Sequence, residues 1–333
     1  MGTRNADVKA GRRLGSRGSR RVSALVISIM FVVSACGGGP AATGEHATRP
    51  ETGTAGAPTL RGAVDVRAEL RRLEASFQGR IGAFALDTGT GRTVGHREHE
   101  RFPGNSTFKA ILCGAILARA RTADPGLLER TLRWTKDDLV AHSPITGLRK
   151  NVEGGMTAAQ LCHATITTSD NTAANVLLEQ IGGPPGMTRY YRSLGDPAGR
   201  LDRWETELNV WRPGERRDTI TPALMARDLH RLTLGPALVP QDRQRLVGWL
   251  RAATTGAARI RAGLPAGWTV GDKTGTGGGA HPTASDIAIA WPPSGAPVVI
   301  AIYTYRTAPG GTVDDRVLAR TASLLARGLG RIS

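Results

Sequence analysis

The stretch Ser106-Thr107-Phe108-Lys109 stands at the front of the apolar run Ala110-Ile111-Leu112-Cys113-Gly114-Ala115-Ile116-Leu117-Ala118. Apolar positions here recur with helical spacing and follow the chain-breaking Pro103-Gly104-Asn105, so we predict Ser106 in the first turn of a buried helix. Ser106 and Lys109 then share one helix face. A buried lysine with a lowered pKa can take a proton from the serine hydroxyl. Alternatively Ser106 only caps the helix, because Ser-x-x-Lys is expected about once by chance in such a chain.

The wider hydrophobic pattern predicts the order helix, two strands, many helices, three strands and a final helix. The predicted segments are a helix at 62–77, strands at 81–86 and 93–96, helices through 106–251, strands at 269–273, 286–291 and 298–305, and a helix at 314–329. Strands from both ends can pair only in one sheet, so we predict an α+β fold: a mostly antiparallel five-stranded sheet flanked by helices, beside an all-helical lobe. The α/β lobe would take about 61–103 and 252–333 and the helical lobe about 104–251, with the active site in the groove between them.

The N-terminal residues have the features of an export signal. Residues 1–21 carry seven basic side chains against the single acid Asp7, and the apolar run 22–35 is too short to span a bilayer comfortably. Val33-Ser34-Ala35-Cys36 resembles a bacterial lipobox, in which Cys36 would be lipidated after cleavage; the alternative is an ordinary cleavage site with an incidental cysteine. We therefore predict a signal peptide at 1–36 and an exported protein, either a cell-envelope lipoprotein anchored at Cys36 or a secreted one.

Residues 37–60 consist mostly of small and polar residues and predict a flexible linker, which leaves 61–333 as the folded domain. The formal charge of +16 would ordinarily suggest a nucleic-acid partner. Six of those charges belong to the signal segment, and the rest of the chain has no basic run interleaved with aromatics, so we expect no nucleic acid. The seven histidines are scattered, which argues against a zinc site, and we expect a monomer without a cofactor.

With Cys36 set aside for lipid, Cys113 and Cys162 remain. Both fall in apolar helical sequence, and export brings the chain into a compartment that permits disulfides. We predict a disulfide between them; the alternative is two buried thiols.

Two further short motifs carry polar groups. Ser169-Asp170-Asn171 places a hydroxyl and a carboxamide two residues apart, although alone it is a common polar helix start. Lys273-Thr274-Gly275-Thr276 ends a predicted edge strand, where Gly275 would let a ligand approach the backbone. A lysine and hydroxyls at a strand edge suit an anionic carboxylate.

In this order, with helices between the first and the last, the three motifs resemble the serine β-lactamase and penicillin-binding protein superfamily. Arg203-Trp204-Glu205-Thr206-Glu207-Leu208-Asn209, followed by Arg217-Asp218-Thr219, resembles the omega loop of class A β-lactamases. The resemblance covers residues 61–333 and implies hydrolysis of β-lactam antibiotics through a serine acyl-enzyme. A penicillin-binding DD-peptidase or transpeptidase and a non-catalytic penicillin sensor are the alternatives, and Glu205 argues against both.

The resemblance implies a role for each matched position. Ser106 would attack the lactam carbonyl, with its own N–H and that of Thr276 as the oxyanion hole. Lys109 and Glu205, the latter through a water, are rival bases for acylation. Ser169 would pass a proton to the departing nitrogen, and Glu205 with Asn209 would activate the hydrolytic water.

The remaining matched positions would bind substrate or hold the loop. Lys273 would hold the Ser169 hydroxyl and, with Thr274, Gly275 and Thr276, the substrate carboxylate, whereas Asn171 would bind the acylamido side chain. Arg203 and Asp218 would form an ion pair that closes the omega loop.

Three positions depart from the family pattern. His142 replaces an aromatic residue on the groove rim, and Thr206 replaces a proline, which could loosen the omega loop. Ala284 lies where many members carry a carboxylate-binding arginine, and we predict that Arg259 supplies this guanidinium from the neighbouring side.

Overall fold

The computed structural model describes residues 65–332. The predicted signal peptide, the lipobox at Cys36 and the linker at 37–60 lie outside the described residues. Within them, no helix is long and apolar enough to cross a membrane.

The helices and strands of the described part follow the predicted order. The α-helices are α1 Val66–Phe77, α2 Phe108–Thr122, α3 Arg149–Gly154, α4 Ala158–Thr167, α5 Asn171–Glu179, α6 Gly183–Ser193, α7 Pro222–Thr233, α8 Pro240–Arg251, α9 Ile260–Gly263 and α10 Asp315–Gly328. The strands are β1 Gly79–Asp87, β2 Thr93–His96, β3 Phe102–Pro103, β4 Thr131–Leu132, β5 Met156–Thr157, β6 Thr219–Ile220, β7 Thr269–Gly277, β8 Thr283–Trp291 and β9 Val298–Arg306. Short 3₁₀ helices span Asn105–Thr107 and Glu207–Asn209.

The main sheet has five strands in the order β2-β1-β9-β8-β7, and every neighbouring pair is antiparallel. This confirms the predicted α+β fold and its five-stranded sheet. Strand β7 is an edge strand, as predicted, but it continues four residues past Lys273. Its pairing with β8 runs as far as Gly277 opposite Thr283, so the ladder of hydrogen bonds with β8 extends the strand beyond its predicted end.

Two hydrophobic cores lie on the two faces of the sheet. On one face α1, α9 and α10 pack against alternate strand residues, as in Leu70, Ile300 and Leu325. The other core extends from the sheet into the helices around α2, whose first ten residues are all buried. Because α2 is enclosed on every side, the serine and lysine at its start are fixed relative to both the sheet and the helical lobe.

The predicted disulfide is not formed. Cys113 on α2 and Cys162 on α4 are both free and fully buried, and the Cys113 Sγ atom lies 3.7 Å from the carbonyl oxygen of Cys162. Burial raises the pKa of the Cys113 thiol, which keeps it protonated. The two side chains therefore pack as small apolar groups, which is the alternative that the sequence left open.

Candidate active site

A groove with a cavity of about 280 Å³ brings the separate motifs together. Its lining residues come from the start of α2, the start of α5, the rim before α3, the segment after α8, strand β7 and the loop before β6: Ser106, His142, Ser169, Asn171, Asn209, Thr255, Arg259, Thr274, Gly275 and Thr276. Positions far apart in the sequence thus share one site.

Ser106 lies in the 3₁₀ helix that leads into α2, one turn before Lys109. Its hydroxyl donates a hydrogen bond to Glu205 Oε1 over 3.0 Å. Lys109 Nζ lies 3.1 Å from the same carboxylate oxygen, and the Lys109 and Glu205 side chains are fully buried. A serine hydroxyl, an amine and a carboxylate therefore meet out of water, which is an arrangement that can activate a nucleophile.

Burial lowers the pKa of Lys109, and the adjacent Glu205 carboxylate opposes this effect in part. The amine also donates to the backbone carbonyl of Ser169 over 2.9 Å and to Asn171 Oδ1. The Lys109 amine thus contacts Ser169, Asn171 and Glu205.

Ser169 and Lys273 form the opposite corner of the groove. Lys273 Nζ donates to Ser169 Oγ over 3.0 Å and to the carbonyl oxygen of Thr274 over 2.7 Å. Burial, together with the nearby charge of Lys109, lowers the pKa of Lys273 to about 7. Lys273 consequently changes charge near neutral pH.

The loop of residues 196–218, which contains the segment that resembles an omega loop and is called the omega loop below, carries Glu205 into the site. The Glu205 residue is 2% exposed, and Asn209 Nδ2 donates to its Oε2 atom. The Glu205–Thr206 peptide bond is cis. The predicted pair is present: Arg203 Nε donates to Asp218 Oδ2 over 2.6 Å, and Asp218 Oδ1 accepts from the backbone of residues 202 and 203.

Strand β7 forms the other wall. A Cβ atom added to Gly275 would lie 3.1 Å from the Ser106 nitrogen and 2.4 Å from Ser285 Oγ, so only glycine allows the strand to run this close to Ser106. The Thr274 hydroxyl lies 2.6 Å from that of Thr255. The predicted oxyanion-hole residues are Ser106, in the 3₁₀ helix that leads into α2, and Thr276, in β7. These two elements pack directly together.

Arg259 reaches this wall from below the strand. Its Nη2 atom donates to Thr276 Oγ1 over 2.8 Å, and its Nη1 atom donates to the carbonyl oxygens of Gly275 and Ser285. The Arg259 Nε atom donates a hydrogen bond to Asp315 Oδ1 over 2.9 Å. Ala284, which pairs with Thr276 in the sheet, is 1% exposed and offers nothing to the groove.

His142 is exposed on the rim, where its Nε2 atom donates to the Thr168 carbonyl oxygen over 2.9 Å. Asn171 lies beneath it at the start of α5. The Asn171 carboxamide accepts from Lys109 and donates to the Ala141 carbonyl oxygen over 2.8 Å.

Two residues with structural roles in the site were missed by the sequence reasoning. Asn175 accepts from the Glu205 nitrogen over 3.0 Å and donates to the Glu205 carbonyl oxygen over 2.9 Å. Asp170 accepts from the backbone nitrogens of Ile145 and Thr146, which fixes the rim. Asn175 could have been found, because it follows Asn171 by one helical turn and shares its face.

A protein-family model described as the beta-lactamase enzyme family matches residues 65–328. The chain belongs to this family. The beta-lactamase FAR-1 of Nocardia farcinica is 49% identical over 262 residues, which cover 79% of this chain and 82% of that protein.

Solved structures agree with this assignment. The crystal structure of a β-lactamase from Streptosporangium roseum has 58% identity and a TM-score of 0.78, covering 80% of this chain and 99% of that one. A class A β-lactamase of the last common ancestor of Gram-negative bacteria has 50% identity and a TM-score of 0.74, covering 79% and 99%. The β-lactamase described here is therefore of class A. Among its described residues, no group of three or more His, Cys, Asp or Glu side chains could hold a metal ion.

Proposed function

We propose that this class A β-lactamase hydrolyses β-lactam antibiotics through an acyl-enzyme on Ser106, with Glu205 as the base of deacylation, and so confers resistance. The observation that supports this most directly is the buried Glu205 carboxylate, which lies 3.0 Å from Ser106 Oγ and accepts a hydrogen bond from Asn209, while Asn175 holds the Glu205 backbone. A penicillin-binding DD-peptidase or sensor has no need of such a carboxylate.

In acylation, Ser106 Oγ attacks the lactam carbonyl carbon and the carbon–nitrogen bond of the ring breaks. The hydroxyl proton passes to Lys109 or Glu205, both of which lie within reach, and we keep both as candidate bases. The nitrogens of Ser106 and Thr276 stabilise the oxyanion. Ser169 gives a proton to the departing nitrogen, and the proton taken from Ser106 returns to Ser169 through Lys109, whose Nζ atom lies 3.4 Å from Ser169 Oγ and 3.1 Å from Glu205 Oε1.

Substrate binding relies on the cationic end of the groove. Thr274, Thr276 and Arg259 line the groove where the substrate carboxylate would bind, and Gly275 leaves room beside them. The buried Lys273 amine adds its positive charge from behind Ser169, 3.0 Å from Ser169 Oγ. Asn171 binds the acylamido group of the side chain. Penicillins and some cephalosporins are the proposed substrates.

In deacylation, water attacks the ester carbonyl while Glu205 takes its proton. Asn209 holds this water together with Glu205, and the ester bond to Ser106 Oγ breaks to regenerate the hydroxyl. Asn175 positions the Glu205 carboxylate indirectly, because it hydrogen-bonds to the backbone nitrogen and carbonyl oxygen of Glu205.

Intact-protein mass during turnover of a penicillin tests this proposal. The parent should return to its free mass, and Glu205→Gln should remain acylated on Ser106 with deacylation slowed by about 10²–10⁴. Glu207→Gln is the matched control, because Glu207 is exposed on the same loop, and it should behave as the parent does. Acylation that persists in the parent would instead indicate a penicillin-binding enzyme or sensor.

We also propose that the protein is exported and acts as a monomer anchored by lipid on Cys36. Mass spectrometry of the N-terminal peptide should find a diacylglycerol-modified Cys36, and Cys36→Ser should release the enzyme into the medium. An unmodified N-terminus at another residue would favour simple secretion.

A further inference from the structure

A buried pair of carboxyl groups lies outside the groove, where the omega loop leaves α6. Asp196, at the start of the loop, is 1% exposed, and Asp228, on α7, is 2% exposed. Gly195, the residue before Asp196, lies against the Arg231 guanidinium, and Arg231 follows Asp228 by one turn of α7, so the two carboxyl groups face the same buried region. The Oδ2 atom of each is buried and has no hydrogen-bond partner among the described residues.

Asp196 fixes the first turn of the loop. Its Oδ1 atom accepts from the nitrogens of Ala198 and Gly199 over 2.6 Å and 2.8 Å. A Cβ atom on Gly199 would lie 2.2 Å from Asp196 Oδ2, so the loop closes tightly over this side chain. Helix α7 packs against β1, β8 and β9, so Asp228 is part of the rigid framework on which the loop rests.

The surrounding charges do not neutralise two carboxylates. Arg192 Nη1 donates to the carbonyl oxygens of Asp196 and Gly199 instead of to either carboxyl, and the Arg231 guanidinium packs near Gly195. Arg101, which precedes β3 and donates to the Ala198 carbonyl oxygen over 2.8 Å, also faces Asp196. Phenols from α6 and β9 face the pair as well: Tyr190, Tyr191 and Tyr303. Two adjacent buried carboxyl groups cannot both ionise cheaply, so one of them keeps a proton.

Burial and the Asp196 charge raise the pKa of Asp228 to about 9, which identifies it as the group that holds the proton. The two otherwise unpartnered oxygens then satisfy each other, with Asp228 donating to Asp196.

We infer that Asp228 is a positioning residue that shares a proton with Asp196 and thereby fastens the start of the omega loop to α7, and that loss of this proton at alkaline pH loosens the loop and slows deacylation by Glu205. The consequence for deacylation rests on the function proposed above, whereas the shared proton does not.

The first test measures the melting temperature of the parent and of Asp228→Asn from pH 5 to pH 10. Asparagine can donate the same hydrogen bond but cannot ionise. Unfolded Asp228 releases its proton near 3.8 and folded Asp228 near 9, so rising pH favours the unfolded parent from pH 5 up to about pH 9. The variant's advantage in melting temperature should therefore grow by about 5 °C or more up to pH 9 and then level off.

Asp242→Asn is the matched control, because Asp242 is a fully buried aspartate on α8 that pairs with Arg121 and not with another carboxyl. The difference in melting temperature between Asp242→Asn and the parent should not grow as the pH rises. A constant difference between Asp228→Asn and the parent over the whole range would overturn the inference. If Asp228→Asn does not fold, Asp196→Asn tests the pair by changing the other carboxyl group. Its advantage in melting temperature over the parent should likewise grow up to pH 9.

The second test measures the deacylation rate of the same proteins by intact mass. The Asp228→Asn rate should equal the parent's at pH 7 and exceed it by about threefold or more at pH 10. Slower deacylation of the variant at pH 7, or equal rates at pH 10, would contradict the link to the loop. If the parent does not turn over at all, the proposed function fails, and the melting series still decides whether the proton is shared.

Discussion

Strand β7 and the omega loop both reach Ser106, but they are held in different ways. Strand β7 pairs with β8 over nine residues from Thr269 to Gly277, and the backbone ladder fixes Lys273 and Thr276 at once. The omega loop has only the short 3₁₀ helix Glu207–Asn209 as regular structure among its residues, and separate side chains from other elements hold it. We therefore expect the position of β7 to be disturbed mainly by substitutions that introduce a steric clash. We expect the position of the omega loop to be disturbed by substitutions that remove a single polar side chain.

The sharpest test of the strand wall is Gly275→Val. Its side chain would meet the Ser106 nitrogen and Ser285, push the strand away and open the oxyanion hole. Acylation should slow by about 10²–10³, measured as the single-turnover rate with a penicillin. Gly278→Ala is the control, because a Cβ atom there meets nothing within 4 Å. An acylation rate like that of the parent would mean that β7 does not form the hole.

The corresponding test of the loop wall is Asn175→Ala. It removes both hydrogen bonds to the Glu205 backbone, so the carboxylate should move and deacylation should slow by about 10–100-fold. Asn175→Asp keeps the acceptor for the Glu205 nitrogen and loses the donor. Its deacylation rate should therefore lie between that of the parent and that of Asn175→Ala. If acylation slows and deacylation does not, Asn175 acts on Ser106 and not through the loop.

A smaller effect is expected from Arg259→Ala, which removes a cation from the strand wall while the ladder remains. The Michaelis constant for a penicillin should rise by about tenfold with little change in kcat, because one charged hydrogen bond is lost. Arg316→Ala is the control, because the Arg316 side chain is exposed at the start of α10 and does not line the groove. An unchanged Michaelis constant for Arg259→Ala would remove Arg259 from the carboxylate site.

The smallest effect concerns pH. The pKa of about 7 for Lys273 means that the free enzyme loses this positive charge as pH rises through neutrality. The value of kcat/KM for a penicillin should therefore fall by a few-fold between pH 7 and pH 9, because the protonated amine binds the carboxylate. A penicillin ester, which has no carboxylate charge, should show a flatter profile. Equal slopes for acid and ester would assign the fall to another group.

Local sequence patterns predicted most of the fold. Hydrophobic period identifies α1, α2, α10 and the five sheet strands, because burial of one face depends on spacing along the chain. Ser106, Lys109, Ser169, Lys273 and Glu205 were brought into one predicted site by the resemblance of their motifs to a known superfamily, and the structure places them in contact.

Other features were decided only by contacts between distant parts of the chain. The extension of β7 to Gly277 depends on β8, and the free state of Cys113 and Cys162 depends on how α2 packs against α4. The hydrogen bonds of Asn175 to the Glu205 backbone join residues 30 positions apart. The burial of Asp196 and Asp228 likewise depends on how distant parts of the chain pack around them. The sequence by itself thus determined the elements and the reactive groups, since these follow from residue type and spacing. Only the tertiary structure decided which polar groups would be buried together, because that depends on neighbours that no local pattern contains.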